Sequence, residues 1–246
     1  MSRVPTREPA CVVLPTYNEA ENVEAFVAAV RAVLPSSARI LIVDDNSPDG
    51  TGEIADRLAA EHSNVRVLHR PRKEGLGPAY IAGFHEALAE GAALILEMDS
   101  DFSHDPSYLP AMLAASNDAD LVIGSRYVAG GGVADWHLVR RVISRGGSAY
   151  ARMVLGLSVR DLTAGFKCFR REVLEAIDID SIESRGYAFQ VEITYRTIQQ
   201  GFAVTEVPII FRDRQEGSSK IDRSVIAEAL WRVPLLRFRN GSGGHP

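Results

Sequence analysis

With only two cysteines, Cys11 and Cys168, in 246 residues, the chain has no disulfide framework and must be held by a packed core. Each cysteine sits in a short apolar or aromatic run, which predicts buried, reduced thiols. Met1 to Pro9 contains no apolar h-region, which argues against a secretory leader. No stretch approaches the roughly 20 consecutive apolar residues of a membrane span. Nor is there a strong excess of one charge: a net charge of −5 is unhelpful to a nucleic-acid reading of the whole chain, and no nucleic-acid partner is expected. These absences point to a cytoplasmic protein that meets a membrane only from its surface.

A dinucleotide fingerprint is missing as well. Gly75-Leu76-Gly77 resembles one, but Tyr80 stands where its third glycine belongs, and Arg70-Pro71-Arg72-Lys73 separates it from the preceding strand. The stretch reads as a flexible loop and helix N-terminus close to a ligand.

What is present is an ordinary globular composition, 46% hydrophobic and 24% charged, long enough for a sizeable core. Ala10 to Leu14 is a continuous apolar run stopped by Pro15, as expected of a parallel strand covered on both faces. Val23, Phe26, Val27, Val30 and Leu34 recur at helical spacing. Arg39 to Val43 is a second strand, followed by an acidic turn and a helix through His62. Val65 to Leu68 is a third strand, and a helix runs from the glycine pair to about Glu90. Ala93 to Met98 is a fourth strand, Pro106 to Ser116 a helix, and Asp120 to Arg126 a fifth strand. Strands alternating with helices predict a doubly wound, mostly parallel sheet.

Ligands in such sheets sit at the carboxyl ends of the strands. Four polar clusters fall there: Pro15 to Glu19, Asp44 to Gly50, Asp99 to Ser103, and Arg126. Asp99-Ser100-Asp101 is the most telling. Two carboxylates one residue apart at a strand mouth can converge on a hard cation whose other ligands are phosphate oxygens. A blander reading is a solvated turn with Asp105 capping the next helix and Pro106 at its first position. The other three strand ends favour a nucleotide diphosphate site.

The second half is basic. From Arg126 to Arg171 there are nine Lys or Arg against two Asp or Glu, which suits anionic partners such as phosphates or a membrane face. Gly130 to Gly132 reads as a mobile link. Trp136 to Leu157 reads as amphipathic helices carrying arginines, the composition of a membrane-surface element or of helices packed on the domain. Phe166 to Arg170 reads as a returning strand, Ala188 to Gln200 as a helix, and Val204 to Phe211 as a final strand that Pro208 makes an edge or irregular. A polar loop carries Arg214 and Lys220, and a helix is expected from Ile221 to Arg239. Residues 1–9 read as a flexible N-terminus and 240–246 as a disordered tail.

Leu14-Pro15-Thr16-Tyr17-Asn18-Glu19, Val43 to Thr51, Gly75-Leu76-Gly77, Met98 to His104, Gly124-Ser125-Arg126-Tyr127, Ser144-Arg145-Gly146, Asp161 to Phe166, and Asp213-Arg214 with Gly217 and Lys220 stand in this order in the chain. In that combination the chain resembles family 2 glycosyltransferases, and within them the polyprenol-phosphate mannose synthases. The resemblance implies an α/β GT-A fold, a Rossmann-like mostly parallel sheet flanked by helices in one domain, 10–239, with a nucleotide-sugar half (10–126) and an acceptor- and membrane-facing half (127–239). It implies GDP-mannose as donor, a polyprenyl or dolichyl monophosphate as acceptor, Mg²⁺ or Mn²⁺ as metal, and inversion at the anomeric carbon.

Carried over by position, Pro15, Tyr17 and Glu19 would hold the guanosine with Val43 and Asp45. Asp99, Asp101 and Ser103 would bind the metal, and Ser100 would sit with them at the donor. Arg126, Arg140 and Ser144 would face the acceptor phosphate, while Arg214 and Lys220 would close over the donor phosphates. Asp101, Arg126, Arg214 and Lys220 are the residues expected to carry catalysis. Some relatives have glutamine where this chain has Ser103, whose hydroxyl is a shorter and weaker ligand. Many also carry C-terminal membrane spans. Here attachment to the cytoplasmic face of the membrane would rest on amphipathic surfaces or on a separate integral membrane protein. The residues themselves do not separate guanine from uracil, so a UDP-glucose donor stays open, as does a nucleotide-sugar binding module without turnover. A nucleotidyltransferase would want a glycine-rich loop after the first strand, where Pro15-Thr16-Tyr17-Asn18 stands.

Overall fold

The computed structural model describes residues 9–134, 138–184, 186–212 and 231–237, with residues 138–140 as backbone alone. The strands are β1 (Ala10–Thr16), β2 (Arg39–Asp44), β3 (Val65–His69), β4 (Leu94–Glu97), β5 (Leu121–Ser125), β6 (Gly132–Val133), β7 (Lys167–Arg170), β8 (Val204–Pro208) and β9 (Ile210–Phe211). The helices are α1 (Val23–Val33), α2 (Thr51–Glu61), α3 (Leu76–Ala89), α4 (Leu109–Ala115), α5 (Leu138–Leu155), α6 (Arg171–Ala176) and α7 (Gly186–Gln199). Seven strands form one sheet in the order β3-β2-β1-β4-β7-β5-β8. Its pairings are parallel except those of β7, which runs antiparallel between β4 and β5.

The two-residue period of a strand sorts the apolar runs onto two faces. Val13, Val43, Ile95, Ile123 and Phe169 face one core with α3 and α7, while Val12, Leu14, Ile42, Leu96 and Cys168 face the other with α1 and α4. Both faces are covered, which is why the central strands read as unbroken apolar runs. α3 lies especially close to the sheet. A Cβ on Gly83 would stand 2.3 Å from Val13 Cγ1 and 3.0 Å from Val43 Cγ2, so only glycine fits.

Three expectations need correction. The last strand does not continue to Phe211 in the main sheet. β8 is the edge strand, where Pro208 is tolerated; β5 ends opposite it at Ser125, whose carbonyl takes the Ile209 N–H at 3.0 Å, and β9 leaves to pair with β6 in a separate two-stranded sheet. The glycines at 130–132 are a tight turn: Gly131 N–H donates to Val128 O at 3.0 Å, and a Cβ on Gly131 would meet Ser125 O at 2.5 Å. The arginine-rich stretch is one continuous helix, α5. Of the final helix, 231–237 are helical; its remainder, the N-terminal eight residues and the tail lie outside the described residues. Cys11 and Cys168 are buried free thiols, pushed up to about 12 by burial.

Candidate active site

The parallel strands deliver their polar ends to one edge, and a cavity of about 230 Å³ opens there, lined by Pro15, Thr16, Tyr17, Glu19, Asp45, Lys73, Gly75, Leu76, Ala79 and Asp99 to Asp101. The loops around it are tied together. Asp44 accepts from Thr16 Oγ1 at 3.2 Å and from Ser47 Oγ at 2.6 Å, and Glu19 N–H donates to Thr51 Oγ1 at 2.9 Å. Asp45 is held by Arg70, which also reaches Glu74 at 2.7 Å.

Val43, expected beside the base, does not line this cavity. It falls on the α3 face of β2 with Val13 and is fully buried. Its contact with the loop is through its carbonyl, which accepts from Thr16 Oγ1 at 3.5 Å.

The Asp99–Asp101 turn is fixed from below. Tyr80 reaches up from α3 and donates its hydroxyl to Asp99 Oδ1 at 3.2 Å. Burial, with the Asp99 charge beside it, pushes the Tyr80 hydroxyl well above its usual range, so it keeps its proton. His104 Nδ1 accepts from the Asp99 N–H at 3.0 Å, which places the ring proton on Nε2. Burial lowers His104 to about 4, so it is neutral at neutral pH. Ser103 N–H donates to Asp101 Oδ1 at 3.0 Å, and Ser100 Oγ to Pro15 O at 3.3 Å. Asp105 caps the next turn through Ser107 N–H at 2.9 Å, so the bland reading holds for Asp105.

Among the described residues no group of three or more His, Cys, Asp or Glu could hold a metal ion. Asp99 and Asp101 nevertheless suit an ion such as Mg²⁺, which takes one or two carboxylates and completes its shell with substrate phosphates and water. Ser103 Oγ, buried with no hydrogen-bond partner among the described residues, is a further hard oxygen beside them. The donor set fits a divalent cation.

Arg126 is reached by a different route. Because β7 runs antiparallel, the loop before it arrives at the same sheet edge as the ends of β4 and β5. That loop carries Asp161, which accepts from Arg126 Nε and Nη2 at 2.7 Å each and from its backbone N–H at 2.9 Å. Thr163 Oγ1 accepts from Nη2 at 2.8 Å. Burial works against the charge on Arg126, but the Asp161 carboxylate more than offsets it and raises the guanidinium's hold on its proton.

Arg126 lines a second cavity of about 290 Å³ with Tyr127, Val128, Gly131, Gly132, Val133, Arg141 and Arg145. Ser144 lies beside it, accepting from Tyr127 Oη at 2.6 Å. Phe211 stands between the Asp99–Asp101 turn and this cavity, its ring 5.4 Å from His104 and 5.6 Å from the Arg126 guanidinium carbon. Arg140 lies on α5, described as backbone alone, and Arg214 and Lys220 lie outside the described residues.

Beneath the turn lies a polar cluster that sequence reasoning missed. Lys167 at the start of β7 donates to Glu97 at 3.1 Å and to Gln190, and none of the three reaches solvent appreciably. Burial raises Glu97 to about 7 against the pull of Lys167, and lowers Lys167. Only the register Glu97↔Lys167 reveals the pair. Lys73, Tyr80, Tyr127 and Asp161 were likewise assigned no role, because their partners are distant in sequence.

Residues 11–178 match the family described as Glycosyl transferase family 2. The chain is similar to the undecaprenyl-phosphate mannosyltransferase of Micrococcus luteus, 49% identical over 221 residues and 90% of each chain. It is also similar to the polyprenol monophosphomannose synthase of Mycolicibacterium smegmatis, 49% identical over 224 residues, which cover 90% of this chain and 84% of that one. Among solved structures, glucosyl-3-phosphoglycerate synthase from Mycobacterium tuberculosis in complex with Mn²⁺, uridine-diphosphate and glucosyl-3-phosphoglycerate superposes with a TM-score of 0.65 at 22% identity, covering 91% of this chain and 79% of that one. The complex of the same enzyme with phosphoglyceric acid gives 0.66 at 22% identity with the same coverage. At such identity the likeness concerns the fold, which is the GT-A arrangement.

Proposed function

We propose that this chain, which belongs to glycosyl transferase family 2, moves mannose from GDP-mannose to a polyprenyl monophosphate, with inversion and with the help of a divalent cation. The observation that carries the reading is a pair of unlike cavities at one sheet edge, linked by the Phe211 ring, which touches both His104 and Arg126. One is walled by strand ends and carboxylates, and the other by Arg126, Arg141 and Arg145. The two mannosyltransferase relatives, each 49% identical, support mannose and a lipid phosphate over other pairs.

Pro15, Tyr17, Glu19 and Asp45 would bind the nucleoside, with Ser100 beside the sugar phosphate. Asp99, Asp101 and Ser103 would hold Mg²⁺ or Mn²⁺, which when bound offsets charge on the departing diphosphate as a Lewis acid. The acceptor phosphate has a second pKa of about 6 and is mostly dianionic at neutral pH, so it needs a cationic cradle more than a general base. Arg126, Arg140, Arg145 and Ser144 would supply that cradle, and Asp161 keeps the Arg126 fork from swinging. An acceptor oxygen attacks the anomeric carbon as its bond to GDP breaks, and the electron pair leaves on the diphosphate. Arg214 and Lys220 would close over that diphosphate and exclude water.

The same reading makes the protein peripheral on the cytoplasmic face of the membrane. No described helix is long and apolar enough to cross a membrane. Val142 and Met153 on α5 are 63% and 75% exposed and Trp231 is 74% exposed, and apolar side chains beside arginines suit an anionic lipid surface. The deciding assay mixes the protein with labelled GDP-mannose or UDP-glucose and a polyprenyl phosphate, with and without Mg²⁺. Organic-extractable label is expected from GDP-mannose alone and only with metal; label arising only from UDP-glucose overturns the mannose assignment.

A further inference from the structure

The cavity at the strand ends is acidic. Glu19, Asp45, Asp99 and Asp101 line it, and Lys73 is the one cation among the described lining residues. A nucleoside diphosphate carries several negative charges, so such a cavity repels it unless cations meet it on arrival. Metal at Asp99 and Asp101 answers for one side of the cavity only.

The loop between β3 and α3 carries three cations close together, Arg70, Arg72 and Lys73, and they are not equivalent. Arg70 is committed to Asp45 and Glu74. Arg72 is committed to Glu74, at 2.8 Å. Lys73 makes no ion pair among the described residues; its Nζ rests 3.7 Å from the centroid of the Tyr17 ring. The first turn of α3 begins beside it, with Gly75 and Leu76 in the cavity wall and no side-chain cap on the helix. Positive potential from those N–H groups favours an anion at the same corner.

We infer that Lys73 is a donor-phosphate ligand, parked on Tyr17 until a diphosphate enters. This rests on the reading of the cavity as a nucleotide-sugar site. An exposed cation–π contact is weaker than a charge-assisted hydrogen bond to phosphate. The ammonium, on a flexible four-carbon stem with three donors, therefore leaves the ring when a phosphate oxygen comes within reach. Its departure bares the face of Tyr17, on which a base can stack. Phosphate binding and base binding are thus linked through one side chain: the diphosphate draws off the group that blocks the base.

The linkage makes a signed test possible. Titration calorimetry in Mg²⁺ would compare GDP, GMP and guanosine on the wild type, Lys73→Gln and Lys73→Arg, with UDP as a second diphosphate. Lys73 is exposed, so melting temperatures should match. Lys73→Gln is expected to weaken GDP at least tenfold, GMP less, and to leave guanosine unchanged or tighter; Lys73→Arg should recover most of the GDP affinity. Unchanged GDP affinity in Lys73→Gln, or equal losses for GDP and guanosine, overturns the assignment. A wild type that binds neither GDP nor UDP overturns it too, and with it the nucleotide-sugar reading.

Discussion

The cavity at the strand ends, the nucleotide side of the proposed function, is walled by those ends, whereas the arginine-lined cavity is walled by a loop and the first half of α5. On the first side, side chains are pinned across loops: Asn18 N–H to Ser47 Oγ at 3.1 Å, Ala20 N–H to Asp49 Oδ2 at 3.0 Å, and Arg70 to Asp45. On the second, Arg141, Val142, Ile143 and Arg145 are exposed; Arg126 is clamped by Asp161, Tyr127 is tied to Ser144, and Arg141 donates to Val133 O at 3.2 Å. A nucleotide is small and can be enclosed by preformed polar groups. On the proposed function, a long isoprenoid chain cannot be enclosed by a domain of this size, so the surface that would serve it has to stay open. The two sides should therefore fail differently when mutated.

The largest effect is expected at the turn between them. Asp101→Ala removes a charged ligand from the metal-competent pair, and transfer should fall at least about a thousandfold because metal stabilisation of a departing diphosphate is worth several kcal/mol. The measurement is label entering the organic phase at saturating donor, with a thermal melt to confirm folding. Near-normal turnover would mean that the turn is not the metal site.

Lys167→Met tests the layer beneath. Removing one partner of a buried ion pair costs about 3–5 kcal/mol. With the cation gone, burial holds Glu97 still further above the ordinary carboxylate value. A carboxyl raised by folding gives stability that is present at low pH and lost as pH climbs through the folded pKa, which for Glu97 is already about 7 in the intact pair. The deficit should therefore widen between pH 6 and pH 8 in denaturant melts. Glu97→Gln combined with Lys167→Met should recover much of it; a deficit independent of pH would show that lost packing, not charge, is responsible.

Gly83→Ala should act on the nucleotide side alone. A Cβ at 2.3 Å from Val13 Cγ1 must push α3 off the sheet, at a cost of about 1–3 kcal/mol. Tyr80 rides on α3 and would retreat from Asp99, so a lowered melting temperature should come with weaker Mg²⁺-dependent GDP binding. Loss of stability with undiminished GDP binding would separate Tyr80 from the support of the turn.

How far these features were legible in the sequence follows from the range of the interactions. The apolar runs of β1 and β2 and the helical spacing of α1 are local signals, and they placed the first half of the sheet with its polar ends on one edge. Asp99-Ser100-Asp101 was legible because a strand end and two acids are contiguous. The Arg126–Asp161 clamp and the Glu97–Lys167–Gln190 cluster were not, since each joins residues far apart in the chain through a strand whose antiparallel sense no local pattern encodes. The burial of the Val43 side chain was not legible from the motif, which names the residue while the two-residue alternation, which sets its direction, turns the side chain into the core. Gly130 to Gly132 misled for a related reason: glycine is used there for close approach to Ser125 O, and composition alone does not distinguish that from a linker.

The smallest effect is expected on the open side. Val142→Asp combined with Met153→Asp changes two side chains that are 63% and 75% exposed, so melting should shift by no more than about 0.5 kcal/mol. If α5 lies on the membrane, burying apolar side chains there is favourable by about 25 cal/mol per Å², and two added carboxylates are repelled by anionic lipid. Turnover of a long-chain polyprenyl phosphate in vesicles containing anionic lipid should then drop severalfold, together with sedimentation of the protein with those vesicles. Turnover of a short, water-soluble isoprenyl phosphate should stay at the wild-type rate, because the arginine-lined cavity is untouched. Equal losses with both acceptors would place Val142 and Met153 in service of the cavity and would remove the contrast between an enclosed nucleotide side and an open lipid side.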